Sequence, residues 1–254
     1  MTRTITRIAL TLTLALGFAS AANAASYGDF MDPTGTVSYL NVQDNNGLFG
    51  APSVSLNSLD FTPVNFQAQC SQCPTGSTTA DILTLDIQTT GGQQISELRV
   101  NEGLDYTLQS FDATGFASAI VTANMFVDIT EVNGVAVNGL NATIPVIFSP
   151  SGNASVIGFG IDTGVILGTS GAIDIQQIIA NAGGTGEATR VSISLDNTLQ
   201  VFHDGSGGQA QIRKRDTDFV SLTINGGDPI PEPTTALLLM GGLAALAARR
   251  EGRE

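Results

Sequence analysis

Long runs of the chain alternate apolar and polar residues with a period of two, the pattern of strands that rest one face on a core. From Asp81 to Thr89, Leu83, Leu85 and Ile87 interleave with Ile82, Thr84, Asp86 and Gln88. Ala119 to Val132 predicts a longer strand, with Val121, Ala123, Met125, Val127 and Ile129 on one side. Asn133-Gly134 follows it, the dipeptide of a two-residue hairpin turn, and leads into Val135 and Val137. Ile144 to Phe148 and Ser155 to Ile161 read as further strands. Val191, Ile193 and Leu195 alternate with serines, and Phe219 to Ile224 completes the set. One stretch differs. Between Ser170 and Ala182, Ile175, Ile178, Ile179 and Ala182 fall at the i, i+3, i+4, i+7 spacing of an amphipathic helix, and Gly183-Gly184 stops it. The expected fold class is all-β, a β-sandwich with one connecting amphipathic helix packed on an end or edge. No internal repeat of fixed period points to a solenoid or propeller.

The two ends of the chain break this pattern. Arg3 and Arg7, the apolar run Ile8 to Ala19 and the box Ala22-Asn23-Ala24 form a secretory signal peptide, residues 1–24, with cleavage expected between Ala24 and Ala25. Residues 25–227 then make one domain, and 228–230 a linker whose stiffness comes from Pro229 and the prolines that follow. Residues 231–254 are a tail. It runs Pro231-Glu232-Pro233, then Thr234 and Thr235, then the uncharged segment Ala236 to Ala248, then Arg249, Arg250 and Arg253 among Glu251, Gly252 and Glu254. With the two threonines the apolar run has a helical length of roughly 22 Å, against a hydrocarbon core of about 30 Å. Arginines at its end favour the cytoplasmic side. Such a segment holds a chain briefly and spans poorly.

These residues resemble the PEP-CTERM sorting tail, and the acidic finish at Glu251 and Glu254 departs from that family's usual basic end. The resemblance implies a protein exported by the Sec machinery of a Gram-negative bacterium, transiently inserted in the inner membrane. It further implies an exosortase that cuts near the Pro-Glu-Pro and releases the body to the cell surface or extracellular matrix, in company with exopolysaccharide. Within the body, Asp105-Tyr106-Thr107-Leu108, Leu195-Asp196-Asn197-Thr198-Leu199 and Ala210-Gln211-Ile212-Arg213-Lys214-Arg215-Asp216 are similar to a recurring all-β domain of such exported proteins. That resemblance transfers no catalytic residue.

Charge narrows the partners. Residues 25–230 carry 20 acidic against five basic side chains, a formal charge of −15. A body this acidic repels phosphate backbones and anionic lipid, which excludes nucleic acid as a natural partner. The chain has one lysine, Lys214, one histidine, His203, no tryptophan, and three tyrosines, Tyr27, Tyr39 and Tyr106. An apolar share of 42% is enough for a core and argues against disorder.

Candidate chemistry is sparse. Cys70 and Cys73, with Pro74 following, read first as a disulfide in an exported chain. A redox pair would need a strand–helix context, and zinc would need four ligands where only His203 is available to join. His203 lies in Val201-Phe202-His203-Asp204-Gly205, where a strand runs into a Gly-rich turn, and is expected as an exposed loop residue. Asp44-Asn45-Asn46-Gly47 and Asp216-Thr217-Asp218 resemble fragments of calcium loops, and neither completes the pattern. The expectation is therefore no catalytic residue, no metal ligand and no cofactor, with calcium as the minor alternative. The leading function is a non-enzymatic structural or adhesive protein of the polysaccharide matrix. A carbohydrate-binding module is the alternative, with the shortage of Trp and Tyr against it, and a glycoside hydrolase comes third.

Overall fold

A computed structural model describes residues 24–205 and 207–215 in full, and 221–226 as backbone. The chain opens with β1 (Ala25–Met31), β2 (Val37–Asp44), β3 (Pro52–Ser55), β4 (Ser58–Phe61) and β5 (Gln67–Cys70). Three long strands follow, β6 (Cys73–Thr89), β7 (Ile95–Ser110) and β8 (Phe116–Val132). Then come β9 (Val135–Pro145), β10 (Ile147–Ser149), β11 (Asn153–Ile157), β12 (Gly160–Thr169) and β13 (Ile173–Asp174). The helix α1 (Ile175–Asn181) precedes β14 (Ala188–His203), β15 (Gly208–Lys214) and β16 (Ser221–Gly226).

The strands form two antiparallel sheets. The first has seven strands in the order β1-β2-β6-β14-β8-β11, with β9 pairing the second half of β8. The second has nine, along β10-β12-β7-β16-β4-β3, with β13 and β15 also on β7 and β5 on β15. The all-β sandwich with one helix is thus the fold, and the alternating positions carry it. Leu83, Leu85 and Ile87 of β6, Val121, Met125, Val127 and Ile129 of β8, and Val191, Ile193 and Leu195 of β14 are all buried. They face Leu98, Val100, Leu104 and Leu108 of β7 and Ala210 and Ile212 of β15 across the interior.

Two expected strands prove to be crossings between the sheets. Ile144 belongs to β9 in the first sheet, whereas Ile147 and Phe148 belong to β10 in the second. Pro145 has no N–H for the ladder, and Val146 donates its backbone N–H to the Ala123 carbonyl at 3.0 Å and buries its side chain. Likewise Ser155 to Ile161 is divided between β11 and β12, because Gly158 adopts φ +73° and ends the first strand. A short apolar run gives no sign of such a corner. The last strand is placed at 221–226, and residues 219 and 220 of the expected segment lie outside the described residues.

The helix is shorter than its periodic pattern. Asp174 caps it by accepting from the Gln177 N–H at 3.0 Å, Ile175 and Ile179 are buried, and Gly183 (φ +76°) closes it. At the first hairpin, between β1 and β2, Asp32 takes the capping role for a loop. Its carboxylate accepts from the backbone N–H groups of Thr36 (2.7 Å), Val37 (2.8 Å) and Thr34 (3.2 Å), and from both threonine hydroxyls. Burial alone would raise this carboxyl; the donors of Thr34, Val37 and Thr36 outweigh it and bring the pKa down to about 2.

Two predictions follow from these turns. Asn133 (φ +50°) and Gly134 (φ +75°) form the mirror-image turn between β8 and β9, and nothing lies within 4 Å of a Cβ placed on Gly134. Gly134→Val therefore isolates backbone strain and should cost about 1–2 kcal/mol, read as a lower urea midpoint at unchanged slope. Asp32→Asn should destabilise the protein at neutral pH. The depressed folded-state pKa means that the wild-type lead is full above the ordinary carboxylate range and shrinks as pH falls through about 2. Urea midpoints of both proteins across the acid range check the convergence.

Candidate functional site

The sequence-singled residues lie at separate places in the fold. Cys70 and Cys73 are joined as a disulfide. The bridge spans the corner at which the chain leaves β5 in the second sheet for β6 in the first. Gln72, at φ +54°, makes the bend. His203 does stand at the end of β14, yet it is fully buried and not an exposed loop residue. It pairs in register with Cys73, and its Nδ1 accepts from the Gln72 N–H at 3.3 Å. The reason is parity: Val191, Ile193, Leu195, Asn197, Leu199 and Val201 all point inward, and His203 continues that row. A histidine enclosed in this corner is unavailable to a substrate.

Asp44 and Asp81 form the densest polar cluster. Both are buried, and both aim at the loop after β2. Asp44 accepts from the N–H groups of Gly47 (2.7 Å) and Phe49 (2.9 Å) and from the Tyr27 hydroxyl (3.1 Å). Asp81 accepts from Asn45 (3.0 Å), Asn46 (2.9 Å), Ile82 (2.8 Å) and Leu48 (3.0 Å). Burial, together with the neighbouring Asp44 charge, pushes the Asp81 carboxyl up against the pull of these donors. Burial beside Asp44 raises the Tyr27 phenol as well. The oxygens that a calcium loop would turn toward an ion are here turned toward backbone amides, so the pair shapes the loop. The other acidic fragment, Asp216 to Asp218, lies outside the described residues. So do the sorting residues Pro231, Glu232 and Pro233 and the arginines Arg249, Arg250 and Arg253. At the other end, Ala24 is exposed and Ala25 begins β1, opposite Asp44.

The broad surface suited to a partner is the outer face of the seven-stranded sheet. Its cross-strand rows follow from register. Asp86, Ser192, Asp128 and Asn141 make one row, and Thr84, Ser194, Phe126 and Thr143 the next. Ile82, Asp196 and Asn124 make a third. Phe126 is 44% exposed at the centre of this field, above a shallow depression of about 330 Å³. Arg190 pairs with Asp86 at 2.6 Å, and Asp128 and Asp196 stand nearby without an ion pair among the described residues. These three rows thus offer one aromatic ring, carboxylate and carboxamide groups, and hydroxyls that both donate and accept. Sequence reasoning weighed only Trp and Tyr for such a surface and missed Phe126. The signal was present: Phe126 is the one aromatic at an outward position of the alternation that it read for residues 119–132. The three tyrosines do not serve. Tyr39 is fully buried, Tyr27 is tied to Asp44, and Tyr106 is half-buried with its hydroxyl 3.3 Å from Asp162.

No group of three or more His, Cys, Asp or Glu side chains stands in metal-binding proximity among the described residues. No helix among them is long and apolar enough to cross a membrane.

No curated protein sequence matches the chain. Among solved structures it is distantly similar to the enzymatically active domain of tailspike protein 4 of bacteriophage CBA120, at 11% identity and a TM-score of 0.19. That similarity covers 82% of this chain and only 20% of the tailspike domain, so the chain spans about a fifth of that relative's length. A non-crystalline cellulose-specific carbohydrate-binding module, CBM28, is 14% identical over 66% of this chain and 79% of its own, with a TM-score of 0.17. A family 12 xyloglucanase from Bacillus licheniformis is 8% identical over 80% of this chain and 99% of its own, with a TM-score of 0.19. Likeness of this depth leaves the fold to be read from the strand pairing itself. The family comparison is definite where it applies: the PEP-CTERM protein-sorting motif matches residues 229–251. The chain thus carries a PEP-CTERM protein-sorting motif, which implies export, beside a body folded as an all-β sandwich.

Proposed function

We propose that this protein is a non-enzymatic component of a Gram-negative cell surface or extracellular matrix, released from its tail by an exosortase and adhering to extracellular polysaccharide. The observation that carries the reading is the sorting motif at 229–251 on a chain whose described body is a two-sheet sandwich, with rows of Asp, Asn, Ser and Thr around Phe126 on one outer face. Adhesion is assigned to the outer face around Phe126. An exposed phenyl ring stacks on the apolar face of a sugar, while Asp128, Asn141, Ser192 and Ser194 satisfy its hydroxyls. Shallow, multi-row contact of this kind suits an extended polymer better than a small ligand, because each weak contact is repeated along the chain. The buried, backbone-held His203 supports the absence of Ser-His-Asp hydrolysis. No calcium is required by this reading.

Two experiments test it. Replacing Pro231, Glu232 and Pro233 with alanine should yield a larger, membrane-retained species, and intact mass of the wild-type surface form should lack Ala236 to Ala248. A surface form that keeps those residues contradicts processing. Phe126→Ala should weaken retention on the producing strain's exopolysaccharide about tenfold, the loss of roughly 1.4 kcal/mol, without lowering the unfolding midpoint. Unchanged retention, or a shortening of the polysaccharide, contradicts the adhesive role.

A further inference from the structure

Three buried polar side chains that surface adhesion does not use meet between the two sheets. Glu102 comes from β7 and Lys214 from the end of β15, both in the nine-stranded sheet; Asn197 comes from β14 in the seven-stranded sheet. Their exposures are 1%, 3% and 0%. Glu102 Oε1 lies 2.8 Å from Lys214 Nζ and also accepts a hydrogen bond from Asn197 Nδ2. One carboxylate oxygen therefore touches both an amine and the nitrogen of a carboxamide. Phe49 and Phe66 wall the site, with their ring centres 5.7 and 5.4 Å from Nζ. Among the described residues, Asn197 Oδ1 and Glu102 Oε2 have no hydrogen-bond partner.

As a device for stability this cluster is a poor one. Desolvating a charged pair largely cancels its attraction, and apolar replacements of similar volume often do as well. It is also the only lysine in the chain, set beside a carboxamide with one unpartnered oxygen. As a set of reagents, the three groups are complete: a nucleophilic amine, an acyl group with a leaving nitrogen, and a carboxyl in contact with both.

We propose that Lys214 and Asn197 become joined by an intramolecular amide bond, with Glu102 carrying the protons, so that the two sheets are covalently linked. Glu102 first takes a proton from the lysine ammonium, leaving a neutral amine and a neutral carboxyl. Nζ then adds to Cγ of Asn197, and the carbonyl electron pair moves to Oδ1. Glu102 returns its proton to Nδ2, the Cγ–Nδ2 bond breaks as the carbonyl re-forms, and ammonia departs. The remaining proton on the new amide nitrogen passes through Glu102 to the ammonia, which leaves as ammonium. No oxidant, reductant or other reactant is consumed. The surroundings favour the first step: burial pushes the Lys214 ammonium down from the ordinary lysine value, against the opposing pull of Glu102. Holding amine and acyl group against one oxygen supplies the proximity that an uncatalysed amide exchange in water lacks.

The test is a peptide map of the full chain recovered from its producing cell, read with intact mass after reduction of the disulfide. Wild-type protein should be lighter than its processed sequence by one ammonia. It should yield a branched pair of peptides joined through Lys214 and Asn197, with no tryptic cut after Lys214. Glu102→Gln keeps both reactants and should show full mass and separate peptides; Lys214→Ala should do the same. Wild-type peptides carrying unmodified Lys214 and unmodified Asn197 would overturn the proposal. So would an ammonia loss confined to the Asn197 peptide, which is cyclisation of that residue onto its own backbone. The wild-type map decides even if either variant fails to fold.

Discussion

Everything in this molecule depends on four strands of 16 or 17 residues keeping one face dry over most of their length, β6 from Asp81 onward. Strands in globular proteins are usually 3–10 residues long, so β8 and β14 must hold their alternation well past the usual limit. A slip of one residue would turn every inward side chain to solvent. Register is fixed where it matters most: β14 runs antiparallel to both β6 and β8, so its inward row is packed and hydrogen-bonded from both sides. The same constraint generates the outer faces. Whatever stands between the inward residues is displayed in cross-strand rows, which is how Phe126 comes to be ringed by Asp, Asn, Ser and Thr.

An inward row is set by parity and not by chemistry, and this explains the polar residues that it contains. Asn197 and His203 fall on the odd positions of β14, Glu102 on the even positions of β7, and Lys214 on the even positions of β15. Placed in the interior, each needs partners from neighbouring strands. His203 finds the Gln72 amide at the disulfide corner, and Glu102 finds Lys214 and Asn197. The two ends of the sandwich are thus organised differently. One is closed by the Cys70–Cys73 bridge between sheets, and the interior elsewhere holds the amine, carboxyl and carboxamide that reach across from one sheet to the other.

Much of this was legible from the residues alone. The alternation of 81–89, 119–132 and 191–195, the Asn133-Gly134 turn and the 175–182 spacing place strands, hairpin and helix correctly. What failed to show were events that depend on the partner sheet. Pro145-Val146 and Gly158 turn the chain from one sheet to the other, and no periodicity within five residues distinguishes a corner from a strand. His203 was misjudged because its glycine-rich sequel suggested exposure, while the parity that runs unbroken from Val191 was not extended to it. Extending the same parity would have placed Asn197 inside as well, whereas Glu102 and Lys214 lie on β7 and β15, strands that the alternation did not mark, and only the fold brings the three together. The segments 195–199 and 210–216 were marked by resemblance, without a reason; the buried Asn197 and Lys214 give each of them one.

The central claim is that the two sheets form one cooperative unit through a shared interior. Native-state hydrogen exchange of the mature body, followed by mass spectrometry, addresses it directly. Amides in the middle of β6, β8 and β14 should exchange at the same limiting free energy as those of β7 in the opposite sheet, and that limit should equal the global unfolding value. Exchange of one sheet at a distinctly lower free energy while the other stays protected would contradict the account.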